Sequence, residues 1–206
     1  MKNISEIKLS ENQLDALREA TNIGAGHAAN ALSQMINKKV MIAVTSADIV
    51  PSDVFLERMV GGNDVLVHTV YLKTLGDVQG VVAFMYRKES TMKLCDLLLS
   101  RSEGETKMID EKCQSALKEQ GNILTGSFLS VIADMLELKV FNLTSSYIYD
   151  TSESVMHGII ESVFGNREKR LCLATEFIES ISDIKGLFAF IPAEDAMQKI
   201  LYKIGC

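Results

Sequence analysis

No stretch of this 206-residue chain reaches the ~18 consecutive apolar residues of a membrane span. Clusters that commonly carry chemistry are missing as well. Four cysteines, Cys95, Cys113, Cys172 and Cys206, lie far apart with no Cys-x-x-Cys pair, and the three histidines, His27, His68 and His157, are isolated. That argues against a zinc site or a disulfide frame and reads as incidental or buried thiols in a reducing cytoplasm. His68, inside LVHTVYL, reads as a packed strand histidine. No Gly-rich phosphate loop or Gly-x-Ser-x-Gly elbow occurs, and Gly61-Gly62-Asn63 reads as a turn. With 21 Lys and Arg against 27 Asp and Glu, the formal net charge is -6. No basic cluster exceeds a few residues, so a nucleic-acid partner is not expected. Met1 to Asn12 is polar and lacks the apolar segment of a secretory leader. The expectation is a cytoplasmic protein with no membrane association. A hydrophobic content of 47% and a charged content of 23% fit an ordinary folded chain.

What is present begins with helices. Residues 11–36 contain no proline and are rich in Ala, Leu and Glu, so they predict a long helix opening after Ser10 or Asn12 and ending over Asn37–Lys39. Val40–Val50 is β-branched and predicts a strand closed by Pro51. A polar loop through Gly61-Gly62-Asn63 should follow. Val65–Leu72 and Val78–Tyr86 predict a hairpin turning at Gly76-Asp77. Lys88–Ser100 carries Met92, Leu94, Cys95, Leu98 and Leu99 at helical spacing, and Arg101–Lys107 is the most linker-like segment.

The order then repeats. A second long helix is predicted over about Asp110–Leu138, then a strand region, a short helix over Thr151–Phe164, a strand over Leu171–Ile178 and another near 183–190. A closing helix begins at Pro192, with Glu194 and Asp195 in its first turn. At an offset of 100, Asp15 falls on Ser115, Glu19 on Glu119, Asn22 on Asn122 and Gly26 on Gly126. Asp183–Phe190 falls on Asp77–Phe84 at an offset of 106. The unit repeats as helix, strand, strand, strand, helix, with half-repeats at about 11–101 and 110–206. Neither half holds enough strands for an independent core. The expected fold is α+β: one domain over 1–206, with about six mainly antiparallel strands in one sheet and a pseudo-twofold axis. With both halves already fused, a monomer is the default.

The repeated pattern is a small polar residue, Glu four positions on, Asn three further, and Gly four beyond that. At 3.6 residues per turn Asp15, Glu19, Asn22 and Gly26 make one stripe, and Ser115, Glu119, Asn122 and Gly126 another. The opposite stripes, Leu17, Ala20, Gly24, Ala28, Ala31 and Met35 in one helix and Leu117, Leu124, Phe128, Val131 and Met135 in the other, are expected to pack on the sheet. A solvated face would explain Glu and Asn on one helix. Asn and Gly are poor mid-helix residues, however, and both recur. Glu and Asn alone supply neither a metal cage nor a nucleophile–base pair. An amide can instead orient a water, as a glutamine does in GTP hydrolysis, and a carboxylate can grip a lysine on a partner. The stripes read as half of an active site.

The pattern [Asp/Ser]-x-x-x-Glu-x-x-Asn, twice present and followed in its first copy by Gly-Ala-Gly-x-Ala-Ala-x-Ala-Leu-Ser, resembles the CheC family of bacterial chemotaxis phosphatases. The likeness spans the whole chain, including the NKKV after the first helix. Its two motif copies place it with the CheC branch rather than with the single-motif CheX or the longer FliY. The resemblance implies dephosphorylation of the phosphoaspartate of the response regulator CheY, whose own pocket holds Mg²⁺, with no cofactor bound by this chain. It assigns water orientation to Asn22 and Asn122, and pairing with a regulator lysine to Glu19 and Glu119. Asp15, Ser115, Gly26 and Gly126 fall in supporting positions. It also implies a second partner, the deamidase CheD, docked away from the stripes, with Thr151–Phe164 a plausible contact. Where the family carries Ile-Gly between Glu and Asn, this chain has Ala20-Thr21 and Gln120-Gly121, a departure that favours the second site. The competing expectation is a non-catalytic module of the chemotaxis or flagellar-switch apparatus that docks CheY or CheD through the same stripes.

Overall fold

Both long helices form, each opened by a side chain that satisfies an otherwise orphaned amide. The computed structural model describes residues 10–165, 171–179 and 183–203. In it α1 spans Glu11–Ile36 behind a capping box. The Gln13 amide donates to Ser10 Oγ (3.3 Å), and the Ser10 amide donates to Gln13 Oε1 (2.7 Å). Asn37 ends the helix in a left-handed conformation (φ 50°). There follow β1 (Ile42–Pro51), α2 (Ser52–Phe55) and a π-helical turn over Leu56–Val60. Next come β2 (Leu66–Gly76), β3 (Gly80–Tyr86) and α3 (Lys88–Leu98). The second half runs α4 (Glu111–Leu136), β4 (Val140–Asn142), β5 (Ser146–Thr151), α5 (Ser152–Phe164), β6 (Leu171–Glu179), β7 (Ile184–Pro192) and α6 (Glu194–Lys203). Asp110 caps α4 by accepting from the Cys113 amide at 2.8 Å.

Two expectations are corrected. The polar loop after Pro51 is helical, because Phe55, Leu56 and Val60 are buried against the sheet and pull Ser52–Val60 into a turn of helix. The second half's first strand is broken into β4 and β5. Between them Ser145 turns in to donate its hydroxyl to the Lys118 carbonyl of α4 (3.2 Å).

All strand pairs are antiparallel, in the order β1-β6-β7-β3-β2-β4, with β5 also on β2. The seven strands therefore fill six sheet positions, since β4 and β5 share one edge. At the centre β3 meets β7 with Val82 opposite Phe190, Ala83 opposite Ala189 and Phe84 opposite Phe188. Under the 106-residue offset Ala83 therefore faces its own counterpart, and the pseudo-twofold axis passes between the two alanines. The outer strands are exchanged: β1 of the first half pairs with β6 of the second, and β2 of the first pairs with β4 and β5 of the second. Each half completes the other's sheet.

Helices cover both faces, which is why β3 is buried along its whole length. Val82, Phe84 and Tyr86 point into the core shared with Ala20, Ala28 and Leu32 of α1 and Leu117, Leu124 and Phe128 of α4. Val81, Ala83 and Met85 point the other way, to Phe55 and Leu56 and to Met156, Ile159 and Ile160 of α5. The helix α4 is seated by Phe128, whose ring meets Phe188 edge-on at 4.6 Å between centroids. Where α1 crosses α4, a Cβ on Gly24 would lie 3.2 Å from Phe128 Cα, so the crossing needs a small residue.

Most of the expected inward stripe is buried, with exceptions in the last turns. Met35 and Met135 are 39% and 44% exposed, because Ile36 and Leu136 take the inward place there. Ala31 is half-buried, and the Leu17 side chain lies outside the described residues, as does Cys206. Cys95, Cys113 and Cys172 are buried free thiols. Among the described residues no helix is long and apolar enough to cross a membrane.

His68 is packed in β2 as the sequence suggested. Its Nδ1 shares a hydrogen bond with Tyr147 Oη at 2.6 Å, its ring stacks on Tyr149, and Nε2 is buried without a partner among the described residues. Burial, aided by the Lys88 charge, lowers its pKa from 6.5 to about 4. The folded state therefore refuses a proton that the unfolded chain accepts below about 6.5. Stability attributable to His68 is complete above pH 6.5 and is lost as the pH falls to 4. The expected result is a falling unfolding temperature across that interval in wild type and a flatter profile in His68→Gln, measured by thermal melts from pH 7 to 4.5. Parallel profiles would contradict it.

Candidate functional site

The inward residues decide where the stripes point. In α1, Ala20, Gly24 and Ala28 face the core, which turns Asp15, Glu19, Asn22 and Gly26 out to solvent. In α4, Leu117, Gln120, Gly121 and Leu124 face inward, leaving Ser115 and Glu119 exposed and Asn122 and Gly126 half-exposed. All eight residues singled out in the sequence thus lie on the outer sides of two helices that pack against each other.

In the second copy the structure joins two of them directly: Asn122 Nδ2 donates to Glu119 Oε2 at 3.3 Å. A carboxylate can only accept, so this bond also settles which way the amide is turned. The amide nitrogen faces Glu119 and the carbonyl Oδ1 is left to accept from a water. The second carboxylate oxygen stays available to a cation.

The two glycines have no role in packing. A Cβ built on Gly26 or Gly126 would meet nothing within 4 Å. Glycine inside a helix costs about 1 kcal/mol relative to alanine, so both positions weaken the fold without relieving a clash. Gly121 is the opposite case, since its Cβ would fall 2.5 Å from Val70 Cγ1 of β2. Clearance at Gly26 and Gly126 is directed outward.

Sequence reasoning gave no role to two neighbours of the motif residues. Ile23, next to Asn22, is 40% exposed and adds an apolar surface to the first stripe; its place four residues after Glu19 was the available signal. Gln120 lies between Glu119 and Asn122 yet is 1% exposed, and its Nε2 donates to Tyr86 Oη at 2.7 Å. Burial pushes the Tyr86 phenol well above its usual range, and the Gln120 bond counters that only in part. The signal was a glutamine at the position where the first copy has alanine. Among the described residues no group of three or more His, Cys, Asp or Glu could hold a metal ion.

The architecture defines a class: an antiparallel sheet of exchanged halves carrying two motif helices on one face. It is the fold of Thermotoga maritima FliY, whose crystal structure superposes with a TM-score of 0.75 at 19% identity, covering 96% of this chain and 98% of that one. A chain of the CheX–CheY–BeF₃–Mg²⁺ complex from Borrelia burgdorferi superposes with a TM-score of 0.55 at 14% identity, over 86% of this chain and 98% of that one. Residues 13–44 and 114–144 match the CheC-like family, each stretch holding one copy of the motif. The CheY-P phosphatase CheC of Bacillus subtilis is 27% identical over 201 residues, 96% of either chain. Both motif helices are thus similar to the CheC-like family.

Proposed function

We propose that the chain is an aspartyl-phosphate phosphatase acting on the phosphorylated response regulator CheY, through two helix-borne half-sites. The observation that carries the reading is the outward Glu/Asn pair of α4, in which Glu119 holds the Asn122 amide with its carbonyl oxygen free. Asn22 and Asn122 accept a hydrogen bond from the attacking water through Oδ1 and set it in line with the phosphoryl group. Glu19 and Glu119 pair with a lysine of the regulator and fix the register of docking. Mg²⁺ and the phosphoaspartate come from the regulator. An acyl phosphate already primed by a metal needs mainly a positioned water, and one placed amide is worth ~3 kcal/mol, or ~10²-fold. Similarity to the CheY-P phosphatase CheC of Bacillus subtilis supports the same reading.

The deamidase CheD is assigned to the other side of the molecule. There α5 covers the sheet face opposite α1 and α4 and turns Ser154, Gly158 and Glu161 to solvent. Both partners could then be held at once.

Mixing a large excess of phosphorylated, Mg²⁺-loaded CheY with a trace of the chain tests the function. A phosphatase clears many equivalents, whereas a docking module leaves the regulator's own decay unchanged. The glycine clearance gives a second test. Gly26→Leu combined with Gly126→Leu should keep or raise the unfolding temperature, since leucine is a strong helix former and no described residue lies within 4 Å of a Cβ at either position. The same variant should raise KM for phosphorylated CheY at least several-fold. An unchanged KM would show that no partner approaches there.

A further inference from the structure

We infer that Gln120, seated on Tyr86, is a positioning residue for the second half-site and makes the two half-sites unequal. The inference rests on the phosphatase reading above. Gln120 and Tyr86 are 1% and 2% exposed, and the bond between them is 2.7 Å long. The other end of the same amide, Gln120 Oε1, is buried with no partner among the described residues. An unsatisfied buried acceptor costs on the order of 1–3 kcal/mol, so for packing alone an apolar side chain would serve better. Position 20, the counterpart in α1, holds an alanine that is 3% exposed and can make no directional bond. The glutamine therefore does something in α4 that α1 lacks.

Its place on the helix says what. Gln120 and Gly121 are the inward residues of the turn whose outward residues are Glu119 and Asn122. Gln120 fixes that turn by a directional bond to β3. Gly121 brings the backbone against Val70 of β2, where a Cβ would lie only 2.5 Å from Cγ1. Two anchors on different strands resist both translation and roll of the helix. A roll of about 10° displaces an amide ~6 Å from the helix axis by about 1 Å, and a misplacement of that size can cost ~10²-fold in rate. In α1 the matching turn rests on Ala20 without such a bond. The second half-site is thus held in register by the sheet, and the Asn122–Glu119 bond completes the arrangement at the surface.

The test reads each half-site alone. In an Asn22→Ala background, where the second half-site remains, Gln120→Ala should lower kcat for phosphorylated CheY about tenfold, with KM held within about twofold. Tyr86→Phe should do the same, and combining the two should lose no more than either alone, because one bond is being removed. In an Asn122→Ala background the drop should be absent, which separates positioning from general damage to the fold. The inference is overturned if kcat of the second half-site is unchanged in both variants, or if the loss is equal in both backgrounds. It is likewise overturned if only KM moves. A wild-type chain that fails to hydrolyse phosphorylated CheY would overturn the functional reading and this one together, so the two failures are told apart by the wild-type rate.

Discussion

Reversing the charge at both stripes, Glu19→Lys with Glu119→Lys, should raise KM for phosphorylated CheY by ~10²-fold or more. A carboxylate paired with a partner lysine in a closing interface contributes strongly to holding the complex, and opposing two like charges there costs several kcal/mol. The effect should shrink as salt is raised, since the approach of the partner is screened over about 8 Å at physiological ionic strength. Both glutamates are exposed, and exposed substitutions away from caps and packing usually change stability by less than about 0.5 kcal/mol. The unfolding temperature should therefore hold. The single variants should differ. Glu119→Lys also removes the acceptor of Asn122 Nδ2, so kcat at that half-site should fall as well as KM rise. An unchanged KM in the double variant would place the docking contact elsewhere.

Much of the fold was legible because its signals are local or periodic. The span 11–36 has no proline and a serine cap at its start, and α1 occupies that span. The 106-residue offset between Asp77–Phe84 and Asp183–Phe190 turned out to contain the register at the centre of the sheet, where Ala83 faces Ala189. What sequence could not show was the exchange of edge strands, since nothing in Ile42–Pro51 says that its partner lies in the other half. Ser52–Val60 hid its helical character behind Asp53, Glu57 and Arg58, while Phe55, Leu56 and Val60 were the residues that mattered. The break between β4 and β5 depends on Ser145 finding a carbonyl 27 positions earlier, which no local pattern encodes.

The candidate site was legible to a similar depth. Helical spacing placed Glu119 and Asn122 three residues apart on one face, close enough to touch. It could not say that they do, nor that the amide is thereby turned with Oδ1 outward. Gln120 was visible only as an oddity between them. Its partner Tyr86 is 34 positions away on β3, so its meaning appears only once the helix is laid on the sheet.

The central claim is that the two amides position water, and one experiment separates this from docking alone. Asn22→Ala with Asn122→Ala should bind phosphorylated, Mg²⁺-loaded CheY with nearly wild-type affinity, because Glu19 and Glu119 remain. It should also melt at nearly the wild-type temperature, because one side chain is exposed, the other half-exposed, and the α4 bond lost is only a 3.3 Å surface contact. On the proposed mechanism each amide lowers the barrier by ~3 kcal/mol, so removing both should drop phosphate release by at least ~10²-fold, toward the regulator's own decay. The deciding measurement is the rate of phosphate release at saturating concentrations of this double variant, with binding followed in the same samples. Retained binding with release at the rate of CheY alone is the expected result; retained binding with release at the wild-type rate would contradict it.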